Sequence, residues 1–128
     1  MLSWLLNQRV ASVEEFWTSL LSDDELVAAQ VLLPECTSVI RAAVFMKAMT
    51  IDAGQAALNR ALSVHWAVVA EMAQFNRAFE LAARFQHKKA YDMQYLAVAE
   101  LTNSTLITRD RGLRHAATQV GVPVRFLG

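Results

Sequence analysis

Apolar residues recur every three or four positions along most of this chain, and four short, largely apolar runs break that rhythm. Helical spacing of Val13, Phe16, Trp17, Leu20 and Leu21 predicts a first helix. Ser12, with Glu15 three residues on, carries the capping-box signature that opens such a helix. Ser22-Asp23-Asp24 ends it, and Leu26-Val27-Ala28-Ala29, bounded by polar residues, predicts a buried strand. Pro34 marks the next helix start, because a first-turn proline loses no hydrogen bond. That helix is expected to run through Val39, Ala43, Phe45 and Met46 to about residue 49. Thr50 is the next expected N-cap, opening a helix through Ala57, Leu58 and Leu62. His65-Trp66-Ala67-Val68-Val69 predicts a strand, and a helix over 71–85 places Met72, Phe75, Phe79 and Ala82 on one face. A helix over 91–102 follows, then a turn at Asn103-Ser104 and a buried strand over 105–108. A helix over 112–120 is stopped by Gly121, and Pro123-Val124-Arg125-Phe126-Leu127 closes the chain as a strand. Helices alternating with short apolar strands predict an α/β fold with a covered parallel sheet.

Composition narrows this picture. A chain of 128 residues with four glycines and two prolines offers no linker, so 1–128 is read as a single domain. Twelve basic and twelve acidic residues cancel, which excludes nucleic-acid or membrane attachment by overall charge and leaves only local patches. The lone Cys36 excludes an internal disulfide and a cysteine zinc site, and His65, His87 and His115 are too scattered for a histidine metal helix. Cys36 is expected to be a small buried apolar residue. Trp4, Trp17 and Trp66 are expected in core or interface packing rather than on nucleic-acid bases. No apolar run approaches the ~18 residues of a spanning helix, and the first residues lack the basic start of a signal peptide. The expectation is a soluble cytoplasmic protein with no membrane partner.

The acids carry the candidate chemistry. Sites in parallel α/β sheets gather at the carboxyl ends of strands. Asp110 falls just after the 105–108 strand, and Asp92 opens the helix before it. Because that helix and strand run back past each other, Asp92 and Asp110 are expected to be neighbours. Glu35 lies in the first turn of the helix after the Leu26 strand and is expected to face the same edge. Each acid alone also suits a helix N-terminus, where the helix dipole favours negative charge. Three carboxylates converging on one edge would repel unless a cation neutralised them, and hard oxygen ligands suit Mg²⁺ or Mn²⁺.

The stretch Lys88-Lys89-Ala90-Tyr91-Asp92-Met93-Gln94-Tyr95-Leu96-Ala97-Val98-Ala99-Glu100, followed by Leu106-Ile107-Thr108-Arg109-Asp110-Arg111-Gly112-Leu113, resembles the PIN-domain family and especially its VapC-type toxin ribonucleases. In that family the pattern reads Tyr-Asp-Ala-x-Tyr-Leu-Ala-Leu-Ala-Glu and then Leu-x-Thr-x-Asp-x-x-Leu. Leu32-Leu33-Pro34-Glu35-Cys36 resembles the segment ahead of the family's second helix. The resemblance implies a three-layer α/β/α fold with a short parallel sheet. It also implies that Glu35, Asp92 and Asp110 match three of four metal-binding acids, and that Thr108 matches a threonine supporting the site by hydrogen bonding. Lys88, Lys89, Arg109, Arg111 and Arg114 surround these acids and can hold RNA phosphates, although charge on α/β loops is common.

The departure is at the start. The family's first strand ends in its fourth acid and lies in the centre of the sheet, between the strands matching 26–29 and 105–108. Here Met1 falls inside the helix that follows it, so the first, central strand is expected to be missing or replaced and the sheet rearranged or completed by a partner. The implied function is metal-dependent hydrolysis of an RNA phosphodiester, with an antitoxin protein as partner. The alternative is a non-catalytic PIN-like binding module that retains only partner interaction. Phe45, Met46, Met49 and Trp66 are spare apolar groups for an expected homodimer.

Overall fold

The computed structural model describes residues 11–20, 23–87 and 90–128. Their elements run α1 (Ala11–Ser19), β1 (Leu26–Ala29), α2 (Leu32–Phe45), α3 (Ile51–Ser63), β2 (Trp66–Val69), α4 (Met72–Arg84), α5 (Tyr91–Leu101), β3 (Leu106–Thr108), α6 (Arg111–Val120) and β4 (Val124–Phe126). This is the expected α/β order. The chain forms two compact units. One contains α1, α2 and α3; the other consists of Val27–Gln30 and Ala67–Gly128.

In the first unit, α2 and α3 pack through Cys36, Ile40, Ala57 and Ala61, all buried. Their close approach depends on Gly54, where a Cβ would lie 2.6 Å from Val44 Cγ2. Thr50 caps α3 as expected: extended at φ −73°, its hydroxyl accepts the Ala53 N–H at 3.1 Å. Helix α2 starts two residues before Pro34, with Val31 at the N-cap. Proline is tolerated there because the first turn's N–H groups have no intrahelical acceptor. In α1, Phe16 is buried and meets the Trp17 ring edge-on at 5.5 Å. The cap expected at Ser12 and the apolar positions Val13 and Leu21 lie outside the described side chains.

Four helices end in one motif. After α2, Ala48 N–H donates to Ala43 O and Lys47 N–H to Val44 O, with Lys47 left-handed at φ 59°. The same pair of bonds closes α4 around Gln86, α5 around Asn103 and α6 around Gly121. These are Schellman closures, which satisfy orphan carbonyls and turn the chain sharply. They stop α2 at Phe45 rather than near residue 49. A side chain at φ > 0 costs about 1–2 kcal/mol relative to the right-handed region. Exposed Lys47, whose turn glycine would make without strain, is therefore a site for stabilisation: Lys47→Gly is expected to raise stability by about 1 kcal/mol in urea unfolding.

The second unit holds a core of Ala78, Leu81, Ala82, Met93, Leu96, Ala97, Leu106, Leu113, Ala116, Ala117 and Val122. It is built where α4, α5 and α6 meet β3. Helix α4 lies on a different face from the one expected. Met72 and Phe79 are 81% and 74% exposed, while Gln74, Ala78, Leu81 and Ala82 are buried. The small side chains of Ala78 and Ala82 let α4 approach α5, where Met93, Leu96 and Ala97 supply the bulk.

Among the described residues the strands form two separate ladders, β1 with β2 and β3 with β4. The second is parallel, with Leu106 opposite Val124 and Thr108 opposite Phe126. Parallel register and the bonds Leu106 N–H to Pro123 O and Leu127 N–H to Thr108 O aim the peptide groups of Leu106 and Thr108 at β4. They aim those of Ile107 the other way.

Candidate functional site

The best-defined part of the site is the turn from β3 into α6. Thr108 is held by Leu127, whose N–H donates to the Thr108 carbonyl at 2.8 Å. The Thr108 hydroxyl in turn accepts the Asp110 N–H at 3.0 Å. Asp110 is extended at φ −88°, ψ 120° and caps α6, Oδ1 accepting the Leu113 N–H at 2.8 Å. Gly112 leaves room for that carboxylate: a Cβ there would lie 3.1 Å from Asp110 Oδ1. One carboxylate oxygen is thus committed to the helix, and the side chain remains exposed.

Asp92 is the second residue of α5, exposed and with no hydrogen-bond partner among the described residues. Helix α5 packs on β3 and α6, and the left-handed turn at Asn103 reverses the chain between them. The first turn of α5 and the carboxyl end of β3 therefore lie toward one end of the second unit, with Asp92 on one and Asp110 beyond the other. Glu35 belongs to the first unit, half-buried in the first turn of α2. Among the described residues, no three His, Cys, Asp or Glu side chains lie close enough together to hold a metal ion. Mg²⁺ commonly binds one or two protein carboxylates and fills its remaining positions with water and substrate phosphate.

Of the basic residues, Arg109 and Arg111 are exposed on either side of Asp110. The Arg114 guanidinium lies over the Phe126 ring at 4.3 Å, so β4 already engages it. Lys88 and Lys89, and the stacking candidate Trp4, lie outside the described residues. Trp17 and Trp66 are half-buried, and Trp66 Nε1 donates to Ala61 O at 3.0 Å. Cys36 is 1% exposed, and burial, then the neighbouring Glu35 charge, pushes its thiol above the ordinary range. It is packing, not a nucleophile.

Two polar links between α4 and α5 escape a reading by apolar periodicity. Gln74 on α4 donates from Nε2 to Gln94 Oε1 on α5 at 3.3 Å, both side chains being buried. Arg77 on α4 forks onto Glu100 on α5, with Nε to Oε1 at 2.5 Å and Nη2 to Oε2 at 3.0 Å. The hint lay in polar residues standing on the small-residue face of α4, one turn from Ala78.

Alternating helices and short strands, with an acid capping the helix after β3 and another opening the helix before it, define an α/β protein with carboxylates at strand carboxyl ends. A family model for the PIN domain matches residues 1–119. The chain belongs to the PIN-domain family, which points to a nuclease-type function dependent on divalent metal. Comparison with curated proteins and with solved structures found no match. Among the described residues no helix is long and apolar enough to cross a membrane.

Proposed function

We propose that this chain is a metal-dependent endoribonuclease of the VapC toxin type, acting in the cytoplasm on single-stranded or looped RNA. The observation that carries the reading is the Thr108–Asp110 turn, which orients a carboxylate at the end of β3; the packing of α5 on β3 supports Asp92 as its neighbour. Mg²⁺ or Mn²⁺, if held there, would supply an activated water and charge stabilisation at the scissile phosphate. Asp92 and Asp110 would hold the metal. Asp110 is oriented by the Leu113 N–H and by the Thr108 hydroxyl on its own N–H. Exposed Arg109 and Arg111, with Lys88, Lys89 and Arg114, hold the RNA backbone. Carboxylates at the end of a strand suit unpaired RNA, whose bases can splay out, better than the deep groove of A-form duplex. Exposed Phe45 and Met46 support a homodimer, and an antitoxin protein is the further partner.

The expected result is Mn²⁺ binding by calorimetry together with cleavage of looped RNA that stops on chelation. Cleavage indifferent to chelator overturns the reading. The second reading is a non-catalytic PIN-like module, in which the Asp110 carboxylate serves as the N-cap of α6. That module would bind a partner yet leave RNA intact with Mn²⁺ present.

A further inference from the structure

Gln74 is fully buried and Gln94 is 8% exposed. A buried amide is retained in a packed helix pair only when its hydrogen bonds are met. Both oxygens are used: the Glu71 N–H donates to Gln74 Oε1 at 3.1 Å, and Gln74 Nε2 donates to Gln94 Oε1 at 3.3 Å. Gln74 is therefore a bridge from the N-cap of α4 to the first turn of α5. Asp92 stands on that same first turn, two residues before Gln94, so about 200° separates them around the helix axis at 3.6 residues per turn. With Gln94 drawn toward α4, Asp92 projects to the opposite, exposed side. The rest of α5 is secured separately, by Arg77 on Glu100 near its far end and by the buried Leu96 and Ala97.

We infer that Gln74 is a positioning residue: through Gln94 it sets the rotation of the first turn of α5 about its axis and so the direction in which Asp92 presents its carboxylate. Apolar contacts alone do not define that rotation well. Met93, Gln94, Leu96, Ala97, Val98 and Ala99 are all buried, so α5 has no single narrow buried stripe to fix it. One directional bond at the N-terminal turn supplies what packing leaves open. The consequence for metal affinity rests on the reading of Asp92 as a ligand; the rotation itself does not.

Gln94→Met tests this, since it keeps volume, removes the inter-helix acceptor along with the rest of the carboxamide and leaves the Glu71–Gln74 cap in place. Gln94→Glu keeps the acceptor. Residual dipolar couplings of the α5 N–H groups report helix rotation without metal, and Mn²⁺ titration reports the ligand. In Gln94→Met the couplings of the first turn should change, with those of α4 preserved, and Mn²⁺ affinity should fall about tenfold, the scale of lost outer-shell support at metal sites. Gln94→Glu should keep the wild-type couplings. If Gln94→Met does not fold, the pair Gln74→Met/Gln94→Met, which strands no side-chain amide but gives up the acceptor of the Glu71 N–H, carries the same expectation for the first turn of α5. Wild-type couplings in the Met variant, or equal disturbance in Gln94→Glu, overturn the inference. Failure of the wild type to bind Mn²⁺ counts against the proposed function instead, and the couplings still decide the positioning role.

Discussion

Asp92→Asn is expected to lower metal-dependent RNA cleavage at least ~100-fold, because loss of a residue merely supporting a metal ligand already costs 10–100-fold. Its unfolding midpoint should stay where it is. The asparagine is nearly isosteric, the side chain is exposed, and no described hydrogen bond is lost. What disappears is one negative charge, the quantity on which a hard divalent cation depends. Asp110 separates the two roles of a carboxylate within one residue. Asparagine caps a helix about as well as aspartate, so Asp110→Asn should keep the Leu113 bond and fold stably while cleavage collapses. Asp110→Ala loses the cap as well, at about 0.5–2 kcal/mol. Cleavage of looped RNA and urea unfolding, run side by side on the three variants, read these outcomes. Cleavage by Asp92→Asn equal to wild type would sink the metal mechanism.

How far the fold was legible depends on whether each signal is local. Thr50 announces its helix because a short oxygen-bearing side chain before an apolar-periodic run has one good use there, and it caps as expected; Asp110 caps α6 on the same principle, though the sequence marks it only as an acid at a strand end. Gly121 ends α6 for the same kind of reason, being the residue that enters φ 78° without strain. Lys47 and Gln86 make the same turn with no such mark, which is why α2 reads too long. Strand β1 was legible in its bounds since a run of four apolar residues between polar ones admits little else. The site shows the same division. Asp110, Thr108 and the helix they start follow from neighbours in sequence. The Gln74–Gln94 link joins positions twenty residues apart, and only the packing of α4 on α5 brings them together. Likewise the set of three acids was drawn from topology, yet Glu35 lies in one compact unit while Asp92 and Asp110 lie in the other.

Helix α4 shows what apolar periodicity can misread, and it sets the largest expected loss of stability. Met72, Phe75 and Phe79 repeat at helical spacing, and so do Gln74, Ala78 and Leu81 one position away. Summed hydrophobicity favours the first stripe. Packing favours the second, because a helix carrying Ala78 and Ala82 on its inner face can sit closer to α5 than one carrying phenylalanines. Leu81 is the one large aliphatic side chain on that face, fully buried in the core of the second unit. Leu81→Ala should therefore cost ~2–5 kcal/mol, the combined loss of transfer energy and of contacts around the cavity. Phe79→Ala, which removes more carbon, should change stability by no more than about 0.5 kcal/mol, since that ring is already largely in water. Urea unfolding of both variants measures the contrast directly. A Phe79→Ala loss as large as that of Leu81→Ala would restore the phenylalanine stripe as the inner face of α4.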